Sequence, residues 1–325
     1  MRAAFYTHNG PASEVLQVGD VETPKAGPGE VLVRVAFSGV NPSDVKSRAG
    51  RPLNGDYQIP HSDGSGVIEA VGEGIPAARI GERVWTWNGA WQRQNGTCAE
   101  LVCLPAAQAV RLSDSVSLEA GACLGIPGLT AYRAWRMVEE AGARSVLVTG
   151  AASSVGFLAS QMAVQSGMQV IGTASARRRD HALAAGCNAV IDYRSENIVE
   201  RIADLSGGKG VDAIIDMDFS SGTQLLASTA LRPHGLYVCY GSNAMGEIAV
   251  PFRDLLFRSI SLQFFLVYEL TREQREEAVE GLGRMLAAGK LTIPVAPAYA
   301  LSDIVKAHQA VEAGETLSNV VVSID

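Results

Sequence analysis

The sequence has no cysteine pairs of the kind that staple a secreted domain or grip a structural metal. Its five cysteines, Cys98, Cys103, Cys123, Cys187 and Cys239, are odd in number, scattered and never spaced Cys-x-x-Cys. That pattern argues against a disulfide framework and for thiols kept reduced in the cytoplasm. No apolar run approaches the ~20 residues needed to span a bilayer. The opening MRAAFYTHNGPASEV lacks the apolar core of a secretory signal. Positive charge is not in excess: 27 Lys and Arg against 34 Asp and Glu leave −7, which argues against nucleic acid or an anionic membrane as partner. There is no internal repeat and no low-complexity linker.

What is present suits a turn-rich α/β protein of one or two domains, with 325 residues, 47% hydrophobic content and 34 glycines. Up to residue 119 the pattern is β-rich. Runs at Val31–Phe37, Gly66–Val71, Arg83–Trp85 and Ala99–Cys103 are separated by Gly, Pro and Asn turns. No helix-length periodicity interrupts them, so an antiparallel barrel is expected. From Ser117 the pattern changes to a helix, a Gly-Pro break at Ile126 to Gly128, and a second helix. Strand and helix signals then alternate through Ala189–Ile191, Ile198–Leu205, Val211–Ile215, Gln224–Thr229 and Gly235–Tyr240, which calls for a parallel sheet. Ser259–Val267 reads as a further β run, at the sheet edge or at the crossing back to the first domain. Thr271–Ala288 reads as an amphipathic helix, capped by Thr271 and Gln274 and stopped at Gly289.

The stretch VLVTGAASSVGFLASQMAVQSGMQVIGTAS, residues 146–175, organises the chain. A β-branched run breaks at Gly150 into small residues, a helical spacing starts at Val155, and a second β run follows. Strand, tight turn, helix, strand is the unit that seats a dinucleotide pyrophosphate on a helix N-terminus. Read back from Gly156, the Gly-x-Gly-x-x-Gly fingerprint has Ala151 and Ser153 at its first two positions. Both are small, so Ala152, Ser153, Ser154 and Val155 are the expected phosphate contacts, against the plain alternative of an ordinary α/β crossover.

A site for NAD places a carboxylate about 20 residues past the first glycine position, to accept from the ribose 2′-hydroxyl. Here the second strand ends at Ser175, followed by Arg177, Arg178 and Arg179, and no carboxylate arrives before Asp180. Ser175 and Arg178 therefore suit a 2′-phosphate and NADPH. The alternative is that the arginines form a solvated face.

Several stretches together resemble the zinc-free quinone oxidoreductases, the zeta-crystallin-like branch of the medium-chain dehydrogenase/reductase superfamily. They are VNPSDVKSRAG (40–50), PHSDGSGVIEAVG (60–72), GERVW (81–85), GTCAEL (96–101), GIPGLTAYRAW (125–135), the nucleotide turn, IDY (191–193) and AAGKL (287–291). The resemblance implies a GroES-like β-barrel domain, residues 1–119 and 267–325, around a Rossmann-type doubly wound parallel-sheet domain, residues 120–266. It implies reduction of quinones or related conjugated carbonyls by NADPH. The zinc branch carries an early catalytic Cys and a His-Glu pair. This chain has Val40-Asn41 and Ser62-Asp63 there, with His61 one position early, so no metal is expected.

The resemblance also places Tyr193 by the adenosine phosphate, and Gly241, Ser242, Asn243, Phe265 and Leu266 by the nicotinamide half. Asn319 matches a position near the cofactor where the family often has Gly-Lys. Asn41 and Thr130 are the expected substrate contacts, and Lys46 stands where the family often has a pocket Tyr. Trp85, Trp87 and Trp91 lie in an aromatic-rich stretch that is read either as a wall of the cleft or as packing. Plain readings remain open beside the others: a turn for Asn41 and for Gly241 to Asn243, a helix-start hydroxyl for Thr130, a solvent-facing cation for Lys46, a strand-end aromatic for Tyr193, and core packing for Phe265 and Leu266. No side chain is marked as a general acid. The expected activity is metal-free hydride transfer by an NADPH:quinone oxidoreductase; the alternatives are a 2-alkenal or enoyl reductase and a non-catalytic NADPH-binding crystallin-like protein. A homodimer through the Ser259–Phe264 edge is also expected.

Overall fold

The run EVLVRVAFSGV is β-branched at alternate positions, and it forms the longest strand of the protein, Glu30–Val40. The structure is a computed structural model and describes residues 1–314 and 316–324. Two compact units divide the chain: Met1–Gly128 with Leu282–Asp325, and Leu129–Gly281.

In the first unit, Glu30–Val40 pairs antiparallel with Asp63–Val71, Leu101–Pro105 and Val320–Ser323. Arg83–Thr86 and Ala109–Arg111 extend the sheet on one side and Tyr299–Ala300 on the other. Val31, Val33 and Val35 face a core with Ile68, Val84, Val102 and Leu104. The expectation that no helix interrupts this region is corrected by Pro42–Gly50. Its start is well specified, with Asn41 as N-cap, Pro42 at the first position and the Asp44 carboxylate accepting the Asn41 N–H at 2.8 Å. Its buried residues are Asp44 and Arg48, so no apolar period advertises it.

In the second unit six strands are all parallel. Across the sheet they run Ala189–Asp192, Gln169–Ala174, Ser145–Val148, Val211–Asp216, Leu231–Cys239 and Ser261–Phe264. The chain begins this sheet in the middle and builds outward both ways, so the order reverses beside Ser145–Val148, the switch point where open α/β sheets bind ligands. Ser261–Phe264 is an edge strand, as expected. The helical signal at Gln224–Thr229 falls instead on Phe219–Gly222 and a 3₁₀ turn at Thr223–Leu225. Asp218 sets that earlier start, its side chain accepting the Ser220 N–H.

The unit boundaries differ from the expected 119/120 and 266/267. Residues 120–128 stay with the first unit because the Ile126 N–H donates to both Asp63 carboxylate oxygens, at 2.9 and 2.8 Å. The second boundary falls inside the helix Arg272–Ala287. The early part of that helix belongs with the second unit, where Arg136 Nε donates to Glu277 at 2.6 Å. The predicted cap is present: the Gln274 N–H reaches Thr271 Oγ1 and the Thr271 N–H reaches Gln274 Oε1.

Candidate functional site

The turn after Ser145–Val148 is fixed by polar bonds that the sequence only hinted at. Gly150 takes φ +62°, and its N–H donates to Thr173 Oγ1 while the Ala151 N–H donates to the Thr173 carbonyl. Thr149 Oγ1 donates to the buried Asp216 carboxylate at 2.5 Å and accepts the Met217 N–H at 3.1 Å. Thr149, Thr173 and Asp216 thus lock three neighbouring strand ends together. Sequence reading missed all three because each is an ordinary strand-end residue.

The degraded fingerprint has a packing explanation. A Cβ at Gly156 would collide with the Gly150 carbonyl oxygen, so that glycine is kept. Ala151 occupies the first glycine position because Gly172, on the adjacent strand, leaves room for its methyl: a Cβ at Gly172 would come within 2.7 Å of it. Ser153 caps the helix Ser154–Gln165, its Oγ accepting the Gly156 N–H at 3.1 Å. As at any helix start, the first-turn N–H groups of Ser154 and Val155 face away from the helix body and carry its positive end.

At the end of Gln169–Ala174, Ser175 is buried and its carbonyl accepts the Arg178 N–H at 2.8 Å. Arg179 is committed elsewhere, Nη1 donating to the Val190 carbonyl at 2.8 Å. Arg178 is half-buried and lies close enough to His181 to help burial lower that imidazole's pKa; His181 in turn stacks on Phe157. Tyr193 is exposed, with the Arg194 guanidinium 5.8 Å from its ring.

After Leu231–Cys239, the Gly241 carbonyl accepts the Phe219 N–H and Ser242 Oγ donates to the Ala244 carbonyl. The Asn243 amide is held by Asp218, with Nδ2 to Oδ2 at 3.0 Å and its backbone N–H to Oδ1 at 2.8 Å. The Phe265 N–H donates to the Cys239 carbonyl, and Leu266 is exposed. Because the strands are parallel, Ala152, Ser153, Ser154, Val155, Ser175, Arg178, Tyr193, Gly241, Ser242, Asn243, Phe265 and Leu266 all lie beyond carboxyl ends of the same sheet. Tyr240, which no sequence signal marked, lies there too. Its hydroxyl is shielded from solvent and makes no hydrogen bond of good geometry. A glycine cradle at a helix start and an orphaned hydroxyl beside it suit an anionic ligand.

Thr130 is buried in the first turn of the helix Leu129–Glu140 in this second unit. Asn41 and Lys46 belong to the first unit. Lys46 is exposed on Pro42–Gly50, and Asn41 is buried, its Nδ2 donating to Asp63 Oδ2 at 2.9 Å. Burial lifts Asp63 well above the usual carboxylate range, while the donors from Ile126 and Asn41 pull the other way. Burial likewise raises Asp44 to about 7, against the opposing Asn41 bonds. Asn319 is tied off inside the first unit, its Nδ2 donating to the Pro294 carbonyl at 2.8 Å. Trp85 is fully buried and Trp91 lies under the Arg51 guanidinium, so packing explains both.

His61 has a partner 247 residues away: its Nε2 lies 2.9 Å from His308 Nε2. The proton positions follow from the neighbours. Thr97 Oγ1 donates to the Asp63 carbonyl, so the Ser38 hydroxyl must donate to Thr97 and accept from His61 Nδ1. His61 Nε2 is then an acceptor, His308 Nε2 its donor, and His308 Nδ1 accepts from Arg48 Nη1 at 3.4 Å. Arg48 continues to Glu312. Both imidazoles are neutral in this arrangement. Burial, with the neighbouring His308 for His61 and Arg48 for His308, holds both pKa values low, that of His308 at about 3. Among the described residues no group of three or more His, Cys, Asp and Glu side chains is placed to hold a metal ion.

Comparison with known proteins agrees with this architecture. Residues 27–114 match the family model of the alcohol dehydrogenase GroES-like domain, and residues 154–284 that of the zinc-binding dehydrogenases. A quinone oxidoreductase of Salmonella typhimurium is 32% identical over 326 residues, covering 97% of this chain and 97% of the relative. The Homo sapiens quinone oxidoreductase is 31% identical over 320 residues, covering 95% of this chain and 93% of its own. The structure of the Escherichia coli quinone oxidoreductase complexed with NADPH superposes with a TM-score of 0.88 at 26% identity, covering 99% of this chain and 100% of that one. With a GroES-like unit, a parallel-sheet nucleotide unit and these relatives along nearly its whole length, the chain belongs to the quinone oxidoreductase family of the medium-chain dehydrogenase/reductase superfamily.

Proposed function

We propose that this protein is an NADPH-dependent reductase of quinones or related conjugated carbonyls. The observation that carries the reading is the end of the strand Gln169–Ala174, where a buried Ser175 and a half-buried Arg178 stand in place of the carboxylate that an NAD site uses. The relative complexed with NADPH supports the same choice. In this reading Ala152 to Val155 hold the pyrophosphate on the helix start, and Ser175, Arg178 and Tyr193 take the adenosine phosphate end. Gly241 to Asn243, Phe265 and Leu266 border the nicotinamide end. Asn41, Lys46 and Thr130 are the substrate contacts.

A reduced nicotinamide supplies a hydride to an electron-poor carbon, chemistry that needs no metal when the acceptor is already electrophilic. The residues at the zinc-branch positions fit that account, because Asn41 donates to Asp63 and Asp63 also accepts the Ile126 N–H. The chain's own contribution is orientation, through helix-start N–H groups, capping hydroxyls and a guanidinium. No buried side chain is assigned as proton donor to the product. Five unpaired thiols suit a reducing cytoplasm, and no described helix is long and apolar enough to cross a membrane. A second copy paired along Ser261–Phe264 is the proposed partner, since Phe264 there and Phe252, Leu256 and Phe257 on the preceding helix are exposed.

The test is steady-state oxidation of NADPH and NADH against a panel of quinones and 2-alkenals. Turnover with quinones and a preference for NADPH are expected. NADPH binding with no turnover across the panel would overturn the enzyme reading in favour of a binding protein, and a saturated C=C product with little quinone activity would move it to an enoyl reductase.

A further inference from the structure

The hydrogen bonding of the Ser153 hydroxyl is incomplete, and so is that of its neighbour. A serine hydroxyl has one proton to give and two lone pairs to fill. Ser153 Oγ fills one with the Gly156 N–H at 3.1 Å. Tyr240 follows the strand Leu231–Cys239 directly. Its N–H donates to the Asp216 carbonyl at 3.3 Å, and its ring centroid lies 6.2 Å from that of Phe265. Its hydroxyl is shielded from water and lacks a partner of good geometry, an unfavourable condition for a buried polar group. Burial, with the neighbouring Asp216 and Cys239, raises the phenol's pKa, and the Ser153 side chain draws it back down. A phenol in that setting stays protonated at neutral pH and keeps a proton to donate.

We infer that Tyr240 is a positioning residue for the anion seat at the start of the helix Ser154–Gln165. When the dinucleotide binds, the Tyr240 hydroxyl donates to Ser153 Oγ, filling its second lone pair. The Gly156 N–H holds the first, so the Ser153 proton has one direction left, outward to a phosphate oxygen. The inference rests on the dinucleotide reading given above and adds to it a residue that acts through Ser153 rather than on the ligand.

The test is a fluorescence titration of NADPH and of NADH onto the full-length protein with no acceptor present. It compares wild type, Tyr240→Phe, Ser153→Gly and the double variant. Glycine is chosen because it removes the hydroxyl while being well tolerated at a helix cap. Tyr240→Phe is expected to raise Kd roughly 5–10-fold for both nucleotides, since the pyrophosphate is common to them. The Tm of the free protein should stay within about 2 °C of wild type or rise, because a buried orphan is removed. The double variant should bind no more weakly than Ser153→Gly alone. Unchanged affinity in Tyr240→Phe, or losses that multiply in the double variant, would overturn the inference, the latter pointing to direct contact between Tyr240 and the ligand. Wild-type protein that binds neither nucleotide would remove the dinucleotide reading itself.

Discussion

Replacing His308 by Phe tests the proton arrangement in the first unit by its pH dependence. Phe fills a similar volume but leaves His61 Nε2 and the Arg48 Nη1 donor unpaired in a buried site. At pH 7.5, where every imidazole concerned is neutral in both folded and unfolded chains, the variant should lose about 2–4 kcal/mol. Below pH 6.5 the unfolded wild type takes up a proton on His308 that the folded state refuses until about pH 3. A folded pKa depressed in this way gives stability that is present above 6.5 and lost as pH falls, at about 1.4 kcal/mol per pH unit. The variant has no such loss, so its deficit should shrink by about 2 kcal/mol between pH 6.5 and pH 5.0. Asp44 has the opposite sign. Its folded pKa of about 7 stands above the unfolded value of 3.8, so it favours folding at low pH and loses that contribution as pH rises toward 7. Asp44→Asn should therefore gain on wild type from pH 4 to pH 7. Urea unfolding followed by circular dichroism at pH 7.5, 6.5, 5.5 and 5.0 reads both slopes. A His308→Phe deficit independent of pH would refute the neutral pair.

Three further outcomes are expected. Gly156→Ala forces a methyl into the Gly150 carbonyl, so dinucleotide affinity should fall at least tenfold by titration, with a lowered Tm. Arg178→Ala should raise the Kd for NADPH about tenfold and leave that for NADH nearly unchanged; an equal change for both would place Arg178 away from the 2′-phosphate. Phe264→Lys, on the exposed edge strand, should shift gel filtration from dimer to monomer, and a wild type that elutes as monomer removes the proposed partner.

The parallel sheet was legible because its strands carry continuous β-branched runs, and the nucleotide turn because helical spacing starts abruptly at Val155. Arg178 and Ser175 could be placed by counting from the turn. What sequence could not show were polar contacts between distant residues. Nothing at His308 marks it as the partner of His61, and Asp63 read only as a departure from a metal pair, although it anchors Ile126 and Asn41. The helix Pro42–Gly50 was missed for the same reason, since it buries Asp44 and Arg48 and leaves no apolar stripe. Tyr240 stayed silent because an aromatic at a strand end is ordinary until its hydroxyl is found without a partner.

The first unit is assembled from two stretches of chain separated by the whole of the second. On a ribosome, Leu129–Gly281 is available to fold while the strand that pairs with Glu30–Val40, Val320–Ser323, has yet to be made. His61 must likewise wait for His308. During synthesis the barrel half is therefore an open sheet with an unprotected flank, and the nascent chain is most exposed to misassembly in that interval.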